Sequence, residues 1–176
     1  MHEVIDQLEV DDVVMAGFSF GGLVILKTIA YKADKIKEAF LASPAYLFNG
    51  NPLRALFKIF IPMRWYMKTQ QMKFLEKFLA EVFTDRDEFA VKSLSKVFLH
   101  FEMDFTPVPV LSKKEAQKIN TPITLLAAKK DILFPGVGMI KRAKQLLPIL
   151  RYTVLLENSK HVQDATGNAI FEKLIL

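Results

Sequence analysis

The sequence contains no cysteine. Disulfides, thiolate catalysis and cysteine-held zinc or iron–sulfur sites are excluded with it. It also lacks a long apolar run. The best stretch, residues 13–26, carries Ser19 and three glycines and stops at Lys27, short of the roughly 18 residues that span a bilayer. No basic segment precedes an apolar one in Met1–Asp6, so nothing there reads as a secretory signal and the cytoplasm is the expected location. There is little excess of either charge. Twenty-four Lys and Arg against 19 Asp and Glu leave a net +5, enough for weak attraction to anionic surfaces but not a nucleic-acid footprint.

What is present is apolar side chain. Hydrophobic residues make up 51% of 176, with 15 Phe and 7 Met, too many for a disordered chain and enough for one sizeable core. Apolar periodicity predicts a helix over His2 to Leu8. Val13 to Ala16 and Ile36 to Ser43 are short continuous apolar runs, as expected of strands buried on both faces. A helix over Leu23 to Tyr31 joins them. From Tyr46 to Pro109 the pattern becomes helical, with Lys and Arg interleaved as a solvated face and breaks expected near Pro62, Thr84 to Asp87 and Thr106 to Pro109. The strand pattern then returns at Ile123 to Ala128 and Tyr152 to Leu156. A helix opens within Pro135 to Gly138, and another follows Val162. Strands alternating with helices predict an α/β fold, a parallel sheet with flanking helices and right-handed crossovers. The core is assigned to residues 1–45 and 110–176 and a helical insertion to 46–109.

The residues that carry chemistry begin with Gly17-Phe18-Ser19-Phe20-Gly21-Gly22. This is Gly-x-Ser-x-Gly between a strand and a helix, the context in which a serine hydroxyl is presented on a strained turn. Gly17 and Gly21 are expected to be small because side chains there would collide with the neighbouring strand and helix. The N–H of Phe20 opens the helix and can face a developing oxyanion. A phosphate cradle is the competing reading, but no Gly-Lys-Ser/Thr or Gly-x-Gly-x-x-Gly is present.

A serine hydroxyl needs an imidazole base, and the imidazole needs a carboxylate. Three histidines are available: His2, His100 and His161. His2 precedes a surface helix, and His100, beside Phe98, Leu99 and Phe101, reads as a partly buried packing residue. His161 and Asp131 each follow a strand, where ligand sites form in parallel sheets. Glu157 and Asp164 are the rival carboxylates, Asp164 reading as a helix cap.

These motifs resemble the α/β-hydrolase superfamily, in its serine ester-hydrolase-like branch with a helical lid. The resemblance rests on Val13 to Gly22, Lys130-Asp131 to Pro135 and Asn158-Ser159-Lys160-His161. It implies Ser19 as nucleophile, Asp131 as triad acid, His161 as general base and the Phe20 N–H as an oxyanion donor. It implies no metal and no organic cofactor. The family usually has several strands before the elbow and a His-Gly-like loop supplying a second oxyanion N–H. This sequence has neither, so it reads as N-terminally truncated. The missing donor is one whose loss costs roughly 10²–10³ in turnover. The truncation also leaves Val13 to Ala16 as a bare apolar edge, which invites self-association.

The expected activity is hydrolysis of a carboxylic ester through an acyl-enzyme. The expected partner is a small, lipophilic acyl substrate in a Phe- and Met-lined pocket, not a nucleic acid. The alternative is a truncated, catalytically silent domain that binds a lipophilic ligand or a protein. A third use of the same triad is perhydrolase or C–C bond hydrolase chemistry.

Overall fold

The computed structural model describes residues 1–100 and 106–176. Four strands, β1 (Val13–Phe18), β2 (Ile36–Ala42), β3 (Ile123–Ala128) and β4 (Leu150–Leu156), form one parallel sheet in the order β1-β2-β3-β4. Helix α1 (His2–Gln7) precedes β1, and α2 (Phe20–Tyr31) connects β1 to β2. The segment between β2 and β3 holds α3 (Pro52–Ala55), a π-helical turn (Leu56–Phe60), α4 (Ile61–Thr69), α5 (Met72–Val82), α6 (Glu88–His100) and α7 (Lys113–Ala116). Helix α8 (Gly136–Leu146) joins β3 to β4, and α9 (Ala165–Ile175) follows β4. The insertion expected over 46–109 includes residues 101–105, which lie outside the described residues.

A parallel sheet must be covered on both faces, and alternation assigns the residues. Met15, Ala39, Leu41, Ile123, Leu125 and Ala127 share one face and pack with Leu26 and Ile29 of α2 and Met139 and Ala143 of α8. On the other face Phe40, Ala42, Leu126 and Ala128 are buried, and α9 lies against β2. Strand β3 is buried at every residue, as its apolar run predicts.

Strand β1 departs from two-face burial and matches the bare edge expected of it. Only Met15 is fully buried; Val14 is 48% and Phe18 39% exposed, and Ala16 is exposed between them. The strand sits at the sheet edge, and α9 lies one strand in, so the second face of β1 stays open. A second departure concerns Pro62. The segment from Pro52 to Thr69 stays helical through it, with the π-helical turn immediately before. A proline cannot donate its i→i−4 bond, and the wider turn absorbs that loss without ending the helix.

The insert has its own core: Ile59, Met63, Tyr66, Leu75, Phe78, Leu79, Val82 and Phe98, together with Ile132 from beyond β3. Its neck is polar. Leu111 N–H donates to Tyr46 O at 2.6 Å and Asn49 Nδ2 to Val108 O at 2.9 Å, tying the two ends of the insert together. Glu115 Oε1 accepts from Tyr46 Oη (2.6 Å) and Lys27 Nζ (2.9 Å), while its Oε2 accepts from the N–H and hydroxyl of Ser112 (3.1 and 2.7 Å). These donors, Tyr46 first, hold the Glu115 carboxyl well below the usual carboxylate range. Burial, and then the bond to Glu115, push the Tyr46 phenol up. Among the described residues no helix is long and apolar enough to cross a membrane.

Candidate active site

Ser19 sits where β1 turns into α2. Its φ of 52° lies in the left-handed region that non-glycine residues avoid, with ψ at −116°. The backbone is pinned there: Ser19 N–H donates to Ala42 O (3.0 Å), and Ser19 O accepts from Gly22 N (3.0 Å) and Ala45 N (2.9 Å). The glycines permit the turn unequally. A Cβ on Gly17 would stand 2.6 Å from Ile25 Cδ1 and 2.9 Å from the Gly21 carbonyl carbon, and one on Gly22 would stand 2.4 Å from Pro44 Cβ. A Cβ on Gly21 would meet nothing within 4 Å. The collision expected at Gly21 belongs to Gly22, where helix meets the end of β2. Phe20 is the first residue of α2, so its N–H has no acceptor within the helix.

His161 and Asp131 arrive from the loops after β4 and β3. Both are buried, at 6% and 2% exposure. Ser19 Oγ lies 2.9 Å from His161 Nε2, and His161 Nδ1 lies 2.7 Å from Asp131 Oδ2. With Nδ1–H donating to the carboxylate, Nε2 is left as the acceptor for the serine proton. Asp131 Oδ1 accepts from Leu133 N (2.8 Å) and Phe134 N (3.0 Å), so both carboxylate oxygens are satisfied without solvent. Three residues distant in sequence thus meet at one edge of the sheet, in an arrangement chemically able to activate a hydroxyl.

The rivals are elsewhere. Glu157 is exposed and pairs with Lys129 at 2.6 Å, and Asp164 caps α9 by accepting from Gly167 N at 2.7 Å. His2 donates to Thr28 O at 3.1 Å. His100 lies at the end of α6 and is exposed, not the packing residue its apolar neighbours suggested; of the described residues of that run, Phe98 turns inward and Leu99 does not. Phe101 lies outside the described residues.

Sequence reasoning missed the walls of the imidazole. Phe18 and Phe134 place their rings 4.9 and 5.4 Å from that of His161, shielding it from water on two sides. Phe134 carried a signal: an Asp three residues ahead of it, in a run ending at Pro135, is a side-chain-to-backbone turn pattern.

No family model and no curated protein matches the chain. Solved structures do. A naproxen esterase from Bacillus subtilis superposes with a TM-score of 0.77 at 21% identity over 98% of this chain and 62% of its own length. A carboxylesterase from Bacillus subtilis gives 0.75 at 15% identity, covering 99% and 62%. A meta-cleavage product hydrolase from Pseudomonas fluorescens gives 0.69 at 14%, covering 98% and 66%. The chain has the α/β-hydrolase fold and spans about three fifths of the length of the two esterase structures, at 62% of each.

Proposed function

We propose that the chain is a serine hydrolase acting on carboxylic esters. The observation that carries this reading is the continuous hydrogen-bonded series from Ser19 Oγ through His161 to Asp131, with contacts of 2.9 and 2.7 Å. In this mechanism His161 Nε2 takes the Ser19 proton as Oγ attacks the ester carbonyl. The Phe20 N–H, at the positive end of α2, stabilises the oxyanion. The protonated imidazole then gives its proton to the leaving alcohol. Asp131 holds the ring and balances its charge. Water deprotonated by His161 releases the acid from the acyl-enzyme.

Residues 46–109 act as a lid in this reading, and the substrate is lipophilic. Exposed Phe20 beside the hydroxyl supports an apolar acyl group. The open side of β1 supports self-association at that edge; sedimentation across a dilution series would reveal a monomer–dimer equilibrium.

The test of the main reading is covalent labelling. A fluorophosphonate should add one phosphonyl group to the peptide containing Ser19, and p-nitrophenyl butyrate turnover should be lost in step. A folded chain that remains unlabelled overturns the reading in favour of a silent ligand-binding domain.

A further inference from the structure

Both loops that deliver the base and the acid are anchored in the insert. Ile132, directly after Asp131, is a member of the insert's apolar core, and Val162, directly after His161, packs against it. Phe83, in the linker between α5 and α6, forms an isolated parallel bridge with Val162. Val162 N–H donates to Val82 O at 2.9 Å, and Thr84 N–H returns a bond to Val162 O at 3.0 Å.

Thr84 closes this junction with its side chain. Its Oγ1–H donates to Val162 O at 2.7 Å, and its Oγ1 accepts from Lys160 N at 2.9 Å. Ser159 Oγ–H, 3.1 Å away, is shared between Thr84 Oγ1 and Lys160 O. A threonine hydroxyl has one proton and two lone pairs, and here the proton and both acceptor sites are engaged by residues 159–162. Ser159 O in turn accepts from Lys130 N at 3.0 Å, next to Asp131. The residues on either side of His161 are therefore fixed by one side chain of the insert. The Ser19 backbone, by contrast, is pinned by backbone groups of β2, of α2 and of the loop after β2.

We propose that Thr84 is a positioning residue for His161, and that base and acid are in register with Ser19 only while the insert is seated on their loops. The inference rests on the triad reading above for its catalytic consequence but not for its structural one. Its physical ground is that small displacements matter: a base moved by about 1 Å costs up to roughly 10²-fold in rate.

The experiment compares Thr84→Val, which keeps the shape and removes the hydroxyl, with Thr84→Ser, which keeps the hydroxyl. Two readouts are taken: p-nitrophenyl butyrate kinetics and residue-resolved amide exchange. Thr84→Val should lower kcat by roughly 10- to 100-fold with KM little changed, and Thr84→Ser should restore it. Exchange at Lys160 and Val162 should accelerate in the valine variant and recover in the serine variant, while Leu125 stays protected. If the wild-type chain has no esterase activity, the triad reading fails and the exchange pattern alone decides the clamp. Unchanged exchange at Lys160 and Val162 in Thr84→Val overturns the proposal. So does a loss that Thr84→Ser fails to restore, or one accompanied by exposure of Leu125.

Discussion

Ser19 and His161, the nucleophile and base of the proposed reaction, are held by different parts of the molecule. Ser19 is built into the junction of β1, β2 and α2, where three backbone hydrogen bonds fix it. His161 and Asp131 hang between the sheet and the insert, each followed by a residue packed in the insert's core. The two parts also cohere differently. The sheet's core is continuous with α2 and α8, whereas the insert has its own core, a polar neck at Tyr46 and Glu115, and a backbone bridge at Thr84. The difference separates two jobs. The turn that strains Ser19 must be rigid, and parallel strands supply that. His161 and Asp131, the proton-transfer partners of the proposed reaction, take their position from a unit with its own core.

The comparison breaks first, and by the largest factor, at Ser19. Ser19→Ala should lower ester turnover by about 10⁵–10⁶-fold and abolish phosphonate labelling. It should leave the circular dichroism and melting temperature unchanged, because the backbone bonds that pin the turn remain. Asp131→Asn follows at roughly 10⁴-fold. The amide can keep its oxygen on the Leu133 and Phe134 N–H groups. It then presents NH₂ to His161 Nδ1, which forces the proton onto Nε2 and removes the acceptor that Ser19 needs. A variant that retains substantial turnover would show that another carboxylate serves His161.

Truncations sharpen the contrast in stability. Phe78→Ala in the insert and Leu125→Ala in β3 both remove buried side chains, at a cost of about 3–5 and 2–5 kcal/mol respectively. Leu125→Ala should lower the midpoints of activity and of far-UV signal together. Phe78→Ala should lower the activity midpoint while the sheet signal persists to higher temperature. Coincident loss in Phe78→Ala would mean that insert and sheet unfold as one unit.

The parts of this arrangement legible in sequence are the local ones. The runs at Ile36–Ala42 and Ile123–Ala128 become strands because their apolar continuity matches burial on both faces. The Ser, Asp and His positions were legible because each follows a strand at the edge where parallel strands end. Strand β1 carries two expectations, burial on both faces and a bare edge; the edge reading holds, because an apolar run records what a strand could bury while its position in the sheet decides what is covered. Pro62 misled because a π-helical turn accommodates it. Gly21 and Gly22 could not be told apart, since only Gly22 meets Pro44, a residue from another element. Thr84 left no signal: its partners lie 76 and 78 residues away, and no spacing rule reaches that far.

The smallest effect concerns the neck, and it separates the neck from the Thr84 junction by charge. The junction at Thr84 is held by hydroxyl and backbone hydrogen bonds, by Lys160 Nζ donating to Ala80 O and by apolar packing, with no carboxylate among these contacts. Glu115 has its folded pKa lowered by Tyr46, Ser112 and Lys27. A carboxyl with a lowered folded pKa stabilises the fold fully above its unfolded value of about 4.3 and loses that contribution as pH falls below it. Its side chain is 35% exposed, so screening holds the contribution to about 1 kcal/mol or less. The corresponding fall in Tm between about pH 6 and pH 3 is roughly 2–4 °C at most. Glu115→Gln should begin from a lower Tm at the higher pH and show a correspondingly smaller acid-induced decrease. The bond from the neutral Tyr46 hydroxyl should leave part of the difference intact in high salt, while the Lys27 contribution is screened. If wild type and Glu115→Gln lose stability in parallel on acidification, the carboxylate contributes nothing, and the neck is held by its neutral bonds, Leu111 N–H to Tyr46 O and Asn49 Nδ2 to Val108 O.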